Sequence, residues 1–411
     1  MTLGNKTGID ARWFRLASAI LSMMLIGLYQ YSWTIFKNPL QEALQLSSST
    51  VQVTFTLSTW TMTLSQPFSG YIADKHGPLL INVIGAVIAG LGWIGSSFAK
   101  NPESLYFAYG LGAVGAGAIY GTAVGTATRW FPDKRGLATG LVVFGFGFGA
   151  AVFNGPISSL VEASGYRSAF LYMGSSMLIA LTVLGLLSRY PTAEWQAGQS
   201  IALTGAATST DRDGVERDPK EMFRTHQWWI LYFAFIMTAN TGLMVTAQLT
   251  DMGTFFSIST ELVLLASGVF SITNGVGRIV GGWVSDRLGR ERTMSLFFVL
   301  QGILSLLLLR LGSFGVVFVV LIAAIGFLWG PIFTFFPAII ADYYGRRHAT
   351  VNYGITYTAK GWERLLGGYV AAVLSSMYGG FTTPILASAM LSFGAALIAI
   401  SPVMKRPSTG S

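Results

Sequence analysis

The stretch VLLASGVFSITNGVGRIVGGWVSDRLGR, residues 263–290, decides the fold and the kind of site to expect. Its residues are apolar, small or uncharged up to the charged turn Asp286–Arg290, with the single exception of Arg278. Because a helix rises ~1.5 Å per residue, Arg278 lies about 12 Å from that turn, near the middle of a bilayer core ~30 Å thick. An arginine at that depth costs at least ~2.5–3.5 kcal/mol and is a candidate functional residue. The alternative is a structural arginine paired with a carboxylate or with helix carbonyls.

The composition predicts an all-α polytopic membrane protein. Hydrophobic residues make up 52% of the chain and charged residues 11%, against about 25% in ordinary proteins. The chain has no cysteine, which excludes disulfides and thiolate metal sites, and it has no His/Asp/Ser cluster, so we expect neither an enzyme nor a cofactor or metal. The positive charge follows the loops, which indicates membrane orientation rather than nucleic-acid binding.

The hydropathy of the chain fits twelve membrane spans, at roughly 13–36, 51–73, 79–99, 103–128, 136–160, 168–188, 227–249, 263–285, 293–312, 316–340, 351–377 and 380–402. With the N-terminus in the cytoplasm, the inside segments hold 19 of the 26 Lys and Arg residues. Three more, Arg278, Lys360 and Arg364, lie at membrane depth. This asymmetry predicts a multi-pass protein of the cell (inner or plasma) membrane with both termini cytoplasmic.

Two halves of the chain repeat. The motif Gly70-x-x-x-Asp74-Lys75-x-Gly77 recurs 212 residues later as Gly282-x-x-x-Asp286-Arg287-x-Gly289, and the next loops place Arg135 opposite Arg347. We predict an N-terminal six-helix half at 1–188, a cytoplasmic linker at 189–226 with a short surface helix, and a C-terminal half at 227–411. This is the plan of major facilitator transporters, whose signature loop the motif resembles. The residues predicted to latch the halves are Asp74, Asp286, Arg135 and Arg347.

Lys360 matches Arg278 in depth on another span, roughly 14 Å into the eleventh. Two cations at one level would repel each other in an empty cavity, and a bound anion removes that repulsion. Arginine can hold a carboxylate through two hydrogen bonds, and lysine can act on another carboxylate as a point charge. The pair therefore predicts a small carboxylate substrate, with a dicarboxylate favoured, and no catalytic residue.

Glu363 complicates the charge of this site. It follows Lys360 by three residues and so lies on nearly the same helix face, with Arg364 beside it. One interpretation is an internal ion pair of Glu363 with Lys360 or Arg364. The other is proton coupling, with Glu363 protonated when substrate occupies Lys360. Arg278, Lys360, Arg364 and Glu363 together carry a charge of +2, which favours anions in either case.

Side chains with polar tips recur in the spans expected to border the cavity. The predicted contacts are Gln30 and Tyr31 in the first span, Gln66 in the second, Tyr120 in the fourth and Trp329 in the tenth. Rings supply an apolar wall, and their hydroxyl or indole groups can donate to a carboxylate. Packing between helices is the alternative for any single ring. Gln66 enters because the 212-residue offset places it opposite Arg278.

Several longer stretches carry a more specific resemblance: Gln30–Thr34 with Asn38–Pro39, Tyr120–Gly121, Arg129–Ala138, Asn274–Gly275, Arg278, Val284–Asp286, Phe327–Gly330 with Phe336–Pro337, and Asn352–Gly354 with Ala359–Lys360. Together they resemble the oxalate/formate antiporter family of the major facilitator superfamily over nearly the whole chain. The resemblance places the family's binding Arg and Lys on Arg278 and Lys360, and its cavity aromatics on Tyr31, Tyr120 and Trp329. It implies exchange of oxalate for formate without a covalent step. We expect the protein to function as a monomer in the lipid bilayer.

The sequence departs from that family at the site itself. Phe146 and Phe333 stand where tyrosines are expected, and Glu363-Arg364 replaces small residues after Lys360. A more apolar cavity suits lactate or pyruvate, as in the related monocarboxylate transporters. The leading hypothesis is oxalate:formate-type exchange, with proton-coupled monocarboxylate symport as the alternative. A sensor that keeps the fold without transport is a third, and it would need a partner or signalling domain.

Overall fold

A computed structural model of the chain describes residues 8–192, 195, 216–401 and 404. This part of the chain is helical, without a strand. Its first helices are α1 (Gly8–Ile26), α2 (Leu28–Tyr31), α3 (Trp33–Leu44), α4 (Ser48–His76), α5 (Pro78–Ser97), α6 (Pro102–Trp130) and α7 (Arg135–Leu186). Then follow α8 (Pro219–Phe223), α9 (His226–Phe255), α10 (Thr260–Leu288), α11 (Arg290–Leu311), α12 (Gly315–Trp329), α13 (Ile332–Tyr344), α14 (Ala349–Tyr357), α15 (Ala359–Glu363), a π-helix (Arg364–Val370), α16 (Ala371–Met377) and α17 (Thr382–Ile400).

These helices follow the twelve predicted spans. Nine helical stretches of the described residues are long and apolar enough to cross a membrane, and one of them, α7, covers two spans because it breaks at Gly165. The second span corresponds to α4, and the eleventh to the run from α14 to α16. The predicted polytopic all-α fold is confirmed. The short helix expected in the linker is α8, whereas most of the linker, 196–215, lies outside the described residues.

Both copies of the repeated motif end in a glycine with a backbone conformation that is rare for other residues. Gly77 joins α4 to α5 at φ +86°, and Gly289 joins α10 to α11 at φ +92°, both with ψ near the extended value. This region is essentially restricted to glycine because a Cβ would collide with the backbone. The two glycines therefore recur for a shared reason, which is a tight connection between successive helices.

The repeat also holds for helix boundaries. A spacing of 212 residues separates Ser48 from Thr260 and His76 from Leu288, so α4 and α10 correspond from end to end. Gln66 and Arg278 consequently occupy equivalent positions of equivalent helices, without a gap between them.

The chain divides into two compact units. Unit 1 comprises Met1–Asp133, Leu141–Arg217 and Tyr344–Tyr357, and unit 2 comprises Lys134–Gly140, Asp218–Tyr343 and Thr358–Ser411. In unit 1, α6 packs against α4 and α5, and α14 packs against α4. In unit 2, α10 packs against α12, α11 against α17, and α9 against α15 and the π-helix. The division of the sequence into two halves at the linker stays a prediction.

Candidate functional site

Breaks in three helical paths fall beside residues predicted to contact substrate. The short α2, which is separated from both its neighbours, carries Gln30 and Tyr31. The path from α12 to α13 is interrupted directly after Trp329, and the path from α14 to α15 is interrupted at Thr358, two residues before Lys360. Discontinuous helices often form transporter sites because their ends present backbone groups to a ligand. Each of these three breaks in the helical backbone therefore lies beside a residue whose side chain was predicted to contact substrate.

Arg278 and Lys360 converge on one aromatic ring in unit 2. Both are buried, with 3% and 7% of their surface exposed, on α10 and α15 respectively. The Arg278 Cζ lies 5.6 Å from the centroid of the Phe333 ring and the Lys360 Nζ lies 5.2 Å from it. These two distances limit the separation of the cationic groups to about 11 Å, and cation–π attraction stabilises both. The structure therefore brings the two predicted anion-binding residues together.

Trp329 joins this cluster through its ring. The ring lies edge-on to Phe333, with centroids 5.3 Å apart, and it packs against Gly242 of α9. Its indole N–H donates to the carbonyl oxygen of Ala239 at 2.9 Å. Because that donor is already used, Trp329 offers an apolar wall rather than a hydrogen bond.

Tyr31 and Tyr120 meet at a second phenylalanine, in unit 1. The ring of Phe146 lies 5.6 Å from that of Tyr31 and 5.2 Å from that of Tyr120, edge-on in both cases. Tyr120 also lies 4.7 Å from Tyr357. Both departures from the antiporter pattern, Phe146 and Phe333, thus contact rings or cations that were predicted to bind substrate.

The two predicted glutamines differ in their surroundings. Gln30 is half-buried on α2. Gln66 is fully buried on α4, and its Oε1 and Nε2 atoms form no hydrogen bond within the described residues. A buried amide without a partner costs about 1–3 kcal/mol by mutational measures, so a polar ligand or water at Gln66 would be stabilised.

Glu363 ends the short helix that carries Lys360. It is 1% exposed, and the π-helix Arg364–Val370 begins directly after it. π-Helical turns are rare and often occur at functional sites. The side chain of Arg364, which was predicted alongside Lys360 as a possible ion-pair partner of Glu363, lies outside the described residues. The choice between an ion pair and proton coupling at Glu363 stays open.

The predicted latch residue Asp74 caps a helix within unit 1. Its carboxylate accepts the N–H of Val351, near the start of α14, at 2.9 Å, and pairs with Arg129 at 2.6 Å. Burial raises the pKa of the Asp74 carboxyl above its ordinary value, and the charge of Arg129 offsets this only in part. Arg129 also stacks on Tyr190 at 3.9 Å, where burial raises the pKa of the phenol to about 12.

Asp286 has the equivalent role within unit 2. It accepts the N–H groups of Gly136 and Leu137, at the start of α7, both at 2.8 Å. Arg290 bonds Asp286 at 2.6 Å and Asp342 at 2.7 Å. The predicted latch residue Arg135 also pairs with Asp342. Each repeated aspartate therefore caps a helix within its own unit, and its part in a latch stays a prediction.

Arg347, the fourth predicted latch residue, forms two hydrogen bonds through its backbone. Its carbonyl accepts Arg129 at 2.8 Å, and its N–H donates to Glu216 at 2.7 Å. Glu216 also accepts the N–H of Arg346 at 3.1 Å.

Four residues of these networks had no role predicted from the sequence: Arg129, Glu216, Arg290 and Asp342. Arg129 and Arg290 lie within stretches quoted from the sequence, whereas Asp342 lies outside them. Glu216 lies in the polar linker and had no such signal. Among the described residues, no group of acidic and histidine side chains could hold a metal ion.

Comparison with known proteins agrees with this architecture. The chain is 34% identical to the oxalate:formate antiporter of Oxalobacter formigenes, over 98% of this chain and 95% of that protein. It is 24% identical to monocarboxylate transporter 13 of Rattus norvegicus, over 82% and 76% of the two chains. The fold resembles that of FucP, a transporter solved in its outward conformation, with a TM-score of 0.71 at 14% identity, over 95% and 98% of the two chains.

Helices long enough to cross a membrane, and a relative over nearly the whole chain that is an antiporter, indicate a polytopic membrane transporter rather than an enzyme. The family model described as Major Facilitator Superfamily matches residues 16–362 and 228–411. The chain belongs to the major facilitator superfamily, and the resemblance noted in its sequence is confirmed.

Proposed function

We propose that this protein is a secondary active transporter of small carboxylates, which exchanges an oxalate-type dianion for formate by alternating access. The observation that carries the proposal is the convergence of Arg278 and Lys360 on Phe333. Two buried cations so placed repel each other unless an anion offsets their charge. The similarity to the Oxalobacter formigenes protein, named an oxalate:formate antiporter, supports the same substrate class.

The roles of the residues follow from their chemistry. Arg278 binds one carboxylate through its planar fork of donors, and Lys360 attracts a second as a point charge. Trp329 supplies an apolar wall in unit 2. Tyr31, Tyr120, Gln30 and Gln66 are the other proposed substrate contacts. The protein acts as a monomer in the cell membrane with both termini cytoplasmic, and Asp74, Asp286, Arg135 and Arg347 stabilise one access state.

Proton-coupled monocarboxylate symport is the second candidate, and the two phenylalanines favour it. Phe146 and Phe333 are both buried, and neither has the hydroxyl that could donate to a second carboxylate. Glu363 provides a buried carboxyl three residues from Lys360 that could take up the accompanying proton. The relatives include proteins named monocarboxylate transporters.

Transport by purified protein in proteoliposomes tests the proposal. We expect labelled oxalate to enter against internal formate without a proton gradient, and Arg278→Gln and Lys360→Gln to abolish both uptake and thermal protection by oxalate. Arg287→Gln is the matched control, because Arg287 lies on the same helix and stacks on Trp283 at 3.9 Å. Normal exchange by both site variants would contradict the proposal. Lactate uptake that collapses with an uncoupler and with Glu363→Gln would favour symport.

The membrane topology of the protein can be tested by single-cysteine labelling, and no native cysteine has to be removed first. The chain contains no cysteine, so each single-cysteine variant carries a unique label site. We expect cysteines in place of Thr7 and Ser408 to react with an impermeant maleimide only after the membrane is opened. Labelling of either one in intact cells would contradict the proposed orientation.

A further inference from the structure

Gln66, a buried glutamine in unit 1, has two side-chain polar atoms without a hydrogen-bond partner among the described residues, and a small gap lies beside them. Gln66 is 0% exposed, and in the described part of the chain neither Oε1 nor Nε2 has a hydrogen-bond partner. Its backbone is held firmly, since Ser69 donates to its carbonyl oxygen at 3.2 Å. A Cβ on Gly354 of α14 would lie 2.8 Å from the same carbonyl group. The backbone of Gln66 is therefore held in place, whereas its side-chain amide has no hydrogen-bond partner among the described residues.

Gly121 of α6 leaves a methyl-sized space next to this amide. Other glycines of α6 are required by close packing: a Cβ on Gly115 would lie 2.7 Å from the Ala89 nitrogen, and one on Gly117 would lie 2.9 Å from the Met62 carbonyl carbon. At Gly121 the nearest atoms to a Cβ all belong to the Gln66 side chain, with Oε1 at 3.7 Å. Packing therefore does not require glycine at this position, and the gap opens onto the Gln66 amide.

The surroundings of this gap include predicted substrate contacts. Tyr120 precedes Gly121 on α6 and lies 4.7 Å from Tyr357, which follows Gly354 by three residues on α14. The Gln66 amide thus lies beside the glycine that follows Tyr120 and is shielded from water. At a buried site of this kind a hydrogen bond to Gln66 contributes more than it would in water.

The chemistry of the amide selects its partner. Oε1 only accepts hydrogen bonds, and Nε2 only donates them. An ionised carboxylate oxygen can accept from Nε2 but leaves Oε1 without a donor. An O–H group can do both, because it donates to Oε1 and accepts from Nε2.

We propose that Gln66 is a specificity-determining residue that recognises an O–H group of the transported acid. This assignment rests on the proposed function as a carboxylate transporter. The O–H group has two possible sources: the hydroxyl of a 2-hydroxy monocarboxylate, or the protonated carboxyl of a singly ionised dicarboxylic acid.

Two acids that differ only in a hydroxyl group test whether Gln66 recognises the hydroxyl of a 2-hydroxy monocarboxylate. Glycolate and acetate differ by one hydroxyl, and their affinities can be compared by thermal shift of the purified full-length protein at pH 7. We expect glycolate to bind at least about fivefold more tightly than acetate, which corresponds to one hydrogen bond. Gln66→Leu should bring the ratio close to one, because it removes the groups that distinguish the hydroxyl from its absence. Gly121→Ala, which fills the gap at ordinary contact distance, should lower the ratio without removing the amide.

The pH dependence of oxalate binding tests whether Gln66 recognises the protonated carboxyl of a singly ionised dicarboxylic acid. If Gln66 binds a protonated carboxyl, oxalate should bind more tightly as pH falls from 7 to 5, and Gln66→Leu should abolish that gain. A change in either the glycolate:acetate ratio or this pH response supports the assignment and identifies the source. Equal ratios and equal pH responses in wild type and Gln66→Leu overturn it. Arg278→Gln separates the two proposals, because loss of Arg278 should weaken all three acids alike; wild-type protein that binds none of them overturns the proposed function as well.

Discussion

Gly277 faces the carbonyl oxygen of Phe327 so closely that no side chain fits between α10 and α12. A Cβ at Gly277 would overlap that oxygen and lie 2.9 Å from its carbonyl carbon. Gly277 directly precedes Arg278, so this contact sets how the helix bearing the arginine packs. The position of the buried charge therefore depends on a neighbour that has no side chain.

Gly277→Ala should displace α10 and disturb the Arg278 site. Overpacking of this kind costs about 1–3 kcal/mol, and the obstacle is backbone, which cannot rotate away. We expect a lower melting temperature in detergent and weaker thermal protection by oxalate than in wild type.

Gly268→Ala is the control on the same helix. Its Cβ would meet nothing within 4 Å, and alanine is the better helix former by about 1 kcal/mol. We expect its melting temperature to be unchanged or raised and its ligand protection to be normal. Equal losses in both variants would show that the helix, rather than the contact with Phe327, is sensitive.

The fold was predictable because its signals are strong and regular. Long apolar runs predict membrane helices, and the repeat at 212 residues holds in the structure from Ser48 and Thr260 to His76 and Leu288. The breaks around α2 and after Trp329 were not predicted, because hydropathy averages over a window and does not register a local change of backbone.

The candidate site was predictable in its charges but less so in its contacts. Arg278 and Lys360 stand out because a buried cation is costly and rare in a membrane helix. That both contact Phe333 depends on how α10, α13 and α15 pack, which no local pattern encodes. For the same reason, the sequence could not show that the Trp329 indole is already bonded to Ala239.

Phe333→Tyr should shift selectivity toward dicarboxylates. The added hydroxyl would lie near two cations and could donate to a second carboxylate, a hydrogen bond that typically contributes ~0.5–1.5 kcal/mol. We expect the affinity for oxalate relative to formate to rise about threefold to tenfold, measured by competition for labelled oxalate in proteoliposomes.

Phe333→Leu distinguishes the effect of the aromatic ring on anion affinity from the effect of the hydroxyl added in Phe333→Tyr. It removes a cation–π partner worth about 0.5–2 kcal/mol from both Arg278 and Lys360 without adding a donor. Affinity for both anions should fall with little change in their ratio. If Phe333→Tyr and Phe333→Leu changed the ratio alike, the hydroxyl would not be the cause.

Glu216→Gln should loosen the segment that leads into α14. The Glu216 carboxylate accepts the N–H groups of Arg346 and Arg347 at 3.1 and 2.7 Å. An amide has one acceptor oxygen and no charge, so we expect about twofold to fivefold faster hydrogen exchange in peptides covering these residues.

Glu221→Gln is the matched control for that measurement. Glu221 caps the short α8 by accepting the N–H of Asp218 at 3.0 Å. Exchange should rise at α8 and stay at the wild-type rate around Arg346. Faster exchange near Arg346 in both variants would indicate a general effect of removing acidic charge.

Asp74→Asn should change how stability depends on pH. Burial raises the pKa of Asp74 in the folded protein above the unfolded value near 3.8, so the folded state binds the proton more tightly. Stability from this group is therefore fully present below the unfolded pKa and is lost as pH rises through the folded pKa. As pH falls from 7 toward the unfolded pKa near 3.8, the melting temperature of wild type should rise relative to that of Asp74→Asn, whose side chain cannot titrate. A wild-type advantage that shrinks over this range would mean that Arg129 outweighs burial, and that the carboxylate is the form that the folded state prefers.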